Sequence, residues 1–84
     1  MLSKGLNLIK NNFEELPNNI EAEQSVIGTI LVSNEIFDEI NIIISSKNFY
    51  DPMHQKIFEA IESLIYKGML ANPITLKNYF ENEK

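Results

Sequence analysis

The chain has 84 residues, a net charge of −5 and 44% hydrophobic side chains, proportions that fit one folded domain with a modest core. It has no cysteine, which excludes disulfides and thiolate metal sites and favours a reducing compartment, here the cytoplasm. Every positive charge is a lysine and there is no arginine, so a free-standing nucleic-acid binder is not expected, whereas a basic protein partner is compatible with the charge.

Residues 1–15 read as a flexible leader. Leu6, Leu8 and Ile9 are interrupted by Asn7 and ended by Lys10, an apolar run too short for a signal-peptide core or a membrane span. The first strong helix is expected over about 19–32, after Leu16-Pro17-Asn18-Asn19. Asn18 or Asn19 supplies a cap, and Glu21 and Glu23 fall in the first turn, where the helix dipole favours negative charge. Ile20, Glu23, Ile27, Ile30 and Leu31 lie close to one side, with Val26 beside them. Gly28 inside this helix costs about 1 kcal/mol relative to alanine. Its expected role is to admit close packing of another helix, with a flexible point as the alternative.

The isoleucines of Ile40 to Ile44 suit a strand by β-branching. Their context favours a helix over about 34–44: Ser33-Asn34 offers a cap, and Ile36, Phe37, Ile40, Ile43 and Ile44 recur at three- and four-residue spacing. After a Phe49-Tyr50 corner, Asp51 caps a helix over 52–67 with Pro52 at its first position, where the missing N–H costs nothing. His54, Ile57, Phe58, Ile61, Leu64 and Ile65 form its apolar stripe, and Gly68 supplies the left-handed residue that ends it. Asn72-Pro73 repeats the start signal for a last helix over 73–83, with Ile74, Leu76, Tyr79 and Phe80 on its apolar side. That helix has no terminating glycine before Lys84, so the chain is expected to be cut from a longer one. The fold expected is all-α, a small compact bundle of about four helices.

The chemistry within this pattern is sparse. Gly5, Gly28 and Gly68 cannot form a phosphate-cradling loop, so no nucleotide cofactor is expected here. No residues converge with metal-ligand spacing, so no metal is expected either. His54 would need an orienting acid and a nucleophile to act as a base. With Asp51 used as a cap, His54 reads as a residue bonded to backbone or packed under the Phe49-Tyr50 corner. No catalytic residue is assigned. Glu14, Glu15, Glu21 and Glu23 form an acidic patch, either a solvated face or a docking site for a basic partner. The aromatics sit at core spacing; Tyr66 and Tyr79 can bring hydroxyls to a protein interface.

Three blocks carry a family resemblance. Leu16-Pro17-Asn18-Asn19-Ile20-Glu21-Ala22-Glu23-Gln24-Ser25-Val26-Ile27-Gly28 resembles the opening helix of the bacterial replicative DNA helicases, the DnaB family. Asn48-Phe49-Tyr50-Asp51-Pro52-Met53-His54-Gln55-Lys56-Ile57-Phe58-Glu59-Ala60-Ile61 resembles that family's second block, and Gly68 with Thr75-Leu76 its third. Asn72, where the family often has an acid, and Asn18, where histidine is more usual, still leave workable caps.

The resemblance covers about residues 16–81 and implies that 16–84 is the helical N-terminal domain. The helical hairpin and the ATP- and magnesium-using motor that follow in the family would lie beyond this chain. Its implied role is non-catalytic: a place in the collar of a hexamer, contact with other helicase subunits, and docking of the primase's C-terminal domain and the helicase loader. Glu21, Tyr66 and Tyr79 are the candidate partner contacts, and Asn19, Asp51, Pro52, Gly68, Asn72 and Pro73 the structural caps. No membrane and no direct nucleic-acid contact are implied. Two other readings stand beside it. One is the helicase-binding domain at a primase's C-terminus. The other is a small enzyme built around His54.

Overall fold

Asn19 has extended backbone, and its Oδ1 accepts the Ala22 N–H at 3.0 Å. That bond satisfies one of the N–H groups a helix start leaves unpaired, and α1 (Ile20–Val32) follows it. The computed structural model of the chain describes residues 19–82. The expected leader over 1–15, the cap at Asn18, the acids Glu14 and Glu15, and the end of the last helix at Glu83 and Lys84 lie outside the described residues.

The chain then forms a 3-10 turn (Asn34–Ile36), α2 (Phe37–Ile43), a second 3-10 turn (Ser46–Asn48), α3 (Pro52–Tyr66) and α4 (Pro73–Asn82). The described residues are helical with short connections and contain no strand. The isoleucine-rich stretch resolves at its last residue: Ile43 ends α2, and Ile44 turns extended but stays buried. Its side chain reaches the core from a loop.

The segment 34–44 departs from the expectation at its start. Ser33 makes no side-chain cap bond. The Asn34 amide is committed instead to a contact across the fold: Nδ2 donates to Ile30 O at 2.8 Å and to Ala71 O at 3.0 Å, and Oδ1 accepts the Ala71 N–H at 2.8 Å. With Asn34 drawn toward Ala71, the first turn tightens into 3-10 form, and the Ile36 N–H bonds Ser33 O.

α3 is the centre of the molecule. Asp51 Oδ1 accepts the Met53 N–H at 2.8 Å, and Pro52 stands in the first turn. Phe58, Ala60 and Ile61 are fully buried, and α3 packs against α1, α4 and the Ser46–Asn48 turn. The Phe58 ring lies 5.5 Å from Phe37 and 5.1 Å from Phe49, so it joins α2 to the corner before α3. Burying side chains of this size contributes roughly 1.5–3 kcal/mol each. At the other end of α3, Gly68 has φ of 79°. Its N–H bonds Ile65 O and the Met69 N–H bonds Leu64 O, both at 2.9 Å, a paired closure that satisfies the last carbonyls of the helix.

α4 starts as a reciprocal cap. Asn72 Oδ1 accepts the N–H groups of Ile74 and Thr75, while Thr75 Oγ1 accepts the Asn72 N–H and donates to Leu70 O. The start signal at Asn72-Pro73 did not by itself indicate Thr75. The expected apolar side of this helix needs one correction. Leu76 is buried and Tyr79 and Phe80 are half-buried, but Ile74 is exposed, because it falls three and four residues before Lys77 and Asn78 and shares their exposed face, opposite Leu76.

Gly28 also departs from expectation. It is exposed, and a Cβ built there would meet no atom within 4 Å. The buried side of α1 is formed by Ala22, Glu23, Val26, Ile27 and Ile30, and Gly28 lies on the other side, so no described helix packs closely on it.

Two substitutions test these local arguments in urea unfolding. Asn34→Ala is expected to lower stability by about 2 kcal/mol, because it strands buried-edge backbone groups at Ile30 and Ala71. Gly68→Ala is expected to lower it by about 1 kcal/mol, the cost of holding a side chain in the left-handed region.

Candidate functional site

The acid at position 23 lies on the apolar side of α1 and is only 1% exposed. A carboxylate in that position is tolerable only if its oxygens are fully engaged. They are. Oε2 accepts the Tyr50 N–H at 2.6 Å, Oε1 accepts the Asp51 N–H at 3.3 Å, and His54 Nδ1 stands 2.7 Å from Oε1. With both oxygens already accepting N–H groups, the histidine bond is read as Nδ1–H donating to the carboxylate. Tyr50 and Asp51 immediately precede α3, so α1 closes the start of α3 from outside while Asp51 caps it from within. Gln55 Nε2 donates to Phe49 O at 2.6 Å, and the His54 ring meets Phe49 edge-on at 6.4 Å. Among the described residues no buried side-chain nitrogen or oxygen lacks a partner.

This arrangement corrects two expectations. Glu23 is not part of an acidic surface patch; of the four acids grouped there, Glu21 is exposed and Glu14 and Glu15 lie outside the described residues. His54 does pack beside Phe49, but its bond runs to a carboxylate on another helix and not to backbone. The acid that orients it is Glu23, since Asp51 is occupied as a cap. The partners given by these bonds are backbone groups and each other, with no hydroxyl or thiol among them, so the chemistry available to the pair is that of a clasp. The clue in the sequence was the double anomaly: an acid on the apolar stripe of one helix and a histidine on that of another.

The candidate contact residues divide between two ends of the molecule. Glu21 is exposed in the first turn of α1, near the clasp. Tyr66 is twelve positions beyond His54 on α3, about 18 Å along the axis. Tyr66 is 68% exposed, sets its ring edge against Phe37 and accepts the Asn41 Nδ2–H at 3.3 Å. Tyr79 is half-buried against Phe80, with Lys67 Nζ 6.0 Å above its ring. The two tyrosines therefore share the far end of α3, and Glu21 is not grouped with them. The remaining cap residues, Asn19, Asp51, Pro52, Gly68, Asn72 and Pro73, occupy helix boundaries.

A further surface feature was not indicated by the sequence motifs. An open groove of about 790 Å³ runs along the outer side of α1, bounded by Ser25, Gly28 and Val32 on one side and Glu35, Ile36 and Glu39 on the other. Val32 is 90% exposed. Among the described residues no group of three or more His, Cys, Asp or Glu is placed to hold a metal ion, and no helix is long and apolar enough to cross a membrane.

A family model, the DnaB-like helicase N terminal domain, matches residues 15–84. The chain is 39% identical over 83 residues to the replicative DNA helicase DnaB of Rickettsia typhi, covering 92% of this chain and 17% of that protein. It is 41% identical over 69 residues to the replicative DNA helicase DnaB of Rickettsia bellii, covering 82% of this chain and 14% of that protein. The figures for the replicative DNA helicase DnaB of Buchnera aphidicola subsp. Baizongia pistaciae are 41% over 69 residues, 82% and 15%. The chain thus spans less than a fifth of the length of these relatives. No solved structure matches it significantly.

The clasp makes a quantitative prediction. Glu23→Ala leaves two backbone N–H groups and a histidine without their acceptor and is expected to cost about 3 kcal/mol. His54→Ala should cost less, because Glu23 keeps both backbone donors. Chemical denaturation of the two variants checks this, and equal losses would contradict the ranking.

Proposed function

Because the chain belongs to the family of DnaB-like helicase N-terminal domains, we propose that it serves as the assembly and docking domain of a replicative DNA helicase. On this reading it contributes to the collar of a hexameric ring, contacts other helicase subunits, and receives the C-terminal domain of the primase, with the helicase loader as a further partner. ATP and magnesium belong to the motor that the reading places elsewhere in the full protein, and the setting is the cytoplasm. The observation that carries the proposal is the extent of the family match, which spans residues 15–84 and so takes in all four described helices. The relatives named above are helicases, which favours this reading over a primase's helicase-binding domain.

The surface residues suit such a role in two places. Glu21 offers an exposed charge of the kind that tunes an interface and its rate of formation. Tyr66 and Tyr79 offer aromatic surface with polar tips, a composition common in protein contacts. A domain whose polar interior groups serve to hold helices together leaves its exposed face as the working part.

The test is a calorimetric titration of the primase C-terminal domain into a fragment extended through the two helices that follow in the full protein. Saturable binding is expected, and Glu21→Lys should weaken it several-fold while leaving the helical spectrum unchanged. No binding by the extended fragment would overturn the docking role. The solution mass of that fragment, compared with the present chain, tests self-association separately.

A further inference from the structure

We propose that the groove on the outer side of α1 receives an amphipathic helix of a partner protein, its apolar stripe flanked by lysine or arginine. The inference names a surface apart from Glu21, Tyr66 and Tyr79 and does not depend on the helicase reading.

Three observations favour that occupant. The first is the surface itself. Ser25, Gly28, Thr29 and Val32 line the groove from α1, at spacings that stack them along one outer stripe. Val32 is 90% exposed, and it also lines a smaller depression with Leu31, Leu70 and Ala71, where Leu70 is 69% exposed. The two hollows meet at Val32, so a continuous track leads from the outer side of α1 across its end to the loop between α3 and α4. A joined apolar surface, unlike a lone exposed residue, marks a contact site.

The second is shape. Gly28 leaves the middle of the stripe bare, since a Cβ there would meet nothing within 4 Å, so another backbone can approach α1 closely at that point. Both walls are helical, and the described residues contain no strand, so an extended segment would find no free edge to pair with. A helix brings its own hydrogen bonds and needs only a groove for its apolar face. From Ser25 to Val32 is about 10 Å, two turns, and the depression beyond Val32 lengthens the seat.

The third is charge. Glu35 and Glu39 stand on the wall opposite α1, both exposed, and among the described residues no lysine lines either hollow. Cations beside an apolar stripe would meet that wall, and acids would be repelled. A second copy of this chain fits less well. Paired face to face about a two-fold axis, it would bring the same two acids to the same groove, in a chain of net charge −5.

The test is titration of the whole chain, followed by backbone amide NMR, with an amphipathic helical peptide of about 15 residues, leucine on one face and lysine on its flanks. A second peptide carries glutamate in place of every lysine. Shifts from the lysine peptide are expected to centre on Gly28, Val32 and Glu39, and the glutamate peptide to bind about tenfold more weakly. Gly28→Gln fills the bare position with a better helix former, so it keeps or raises the melting temperature while weakening lysine-peptide binding about tenfold. Glu35→Gln with Glu39→Gln weakens that binding about fivefold and removes most of the preference for lysine over glutamate. Shifts centred on Tyr66 and Tyr79, equal binding of the two peptides, or undiminished binding by Gly28→Gln would overturn the proposal. So would the absence of shifts at about 1 mM peptide, the result that a groove covered from within the chain would give. Groove shifts that follow protein concentration without peptide would assign the surface to a second copy and overturn it as well.

Discussion

One buried carboxylate sets the arrangement of α1 against α3. Glu23 leaves α1 through its apolar side, yet every bond it makes is to the beginning of α3. Its desolvation is offset only while Tyr50, Asp51 and His54 remain in place, so the carboxylate specifies where α3 starts as well as which way α1 faces. Hydrophobic contacts alone would allow the two helices to slide by a turn at small cost. A carboxylate with three fixed donors does not, since a shifted register would leave charge buried without partners.

The rings complete what the carboxylate begins. His54 touches Phe49, Phe49 touches Phe58 and Phe58 touches Phe37. The clasp therefore grades into the apolar core without a gap, and α2 is held to α1 through the Asn34–Ile36 turn and to α3 through the Phe37 ring. Polar specification at one end and ring packing through the middle leave the outer side of α1 exposed.

Much of this was legible in the sequence where the signals are local. The pairs Asp51-Pro52 and Asn72-Pro73 marked helix starts because capping and proline geometry act within a few residues, and Gly68 marked an end because its backbone conformation excludes most other residues. The unread features depend on distant partners. Glu23 in a first turn is accounted for by the helix dipole, and its place on the apolar stripe hinted at burial without naming the distant partners that permit it. Asn34 beside Ser33 has the composition of a cap, but its amide found a better geometry at Ala71. Gly28 shows only that a side chain is missing, not whether a neighbour requires the space. The exposed candidates Glu21, Tyr66 and Tyr79 were readable as surface residues, whereas their separation between two ends of α3 depends on how the helices dock.

The clasp at Glu23 and the bridge from Asn34 to Ala71 have a joint topological consequence. The first ties position 23 to positions 50–54, and the second ties 34 to 71. Along the chain the two spans interleave, each with one end inside the other. Any cut between 23 and 71 therefore severs at least one of them, and no contiguous half of the domain retains both. Between residues 23 and 71 there is therefore no seam at which the described helices divide into units that each keep their own ties.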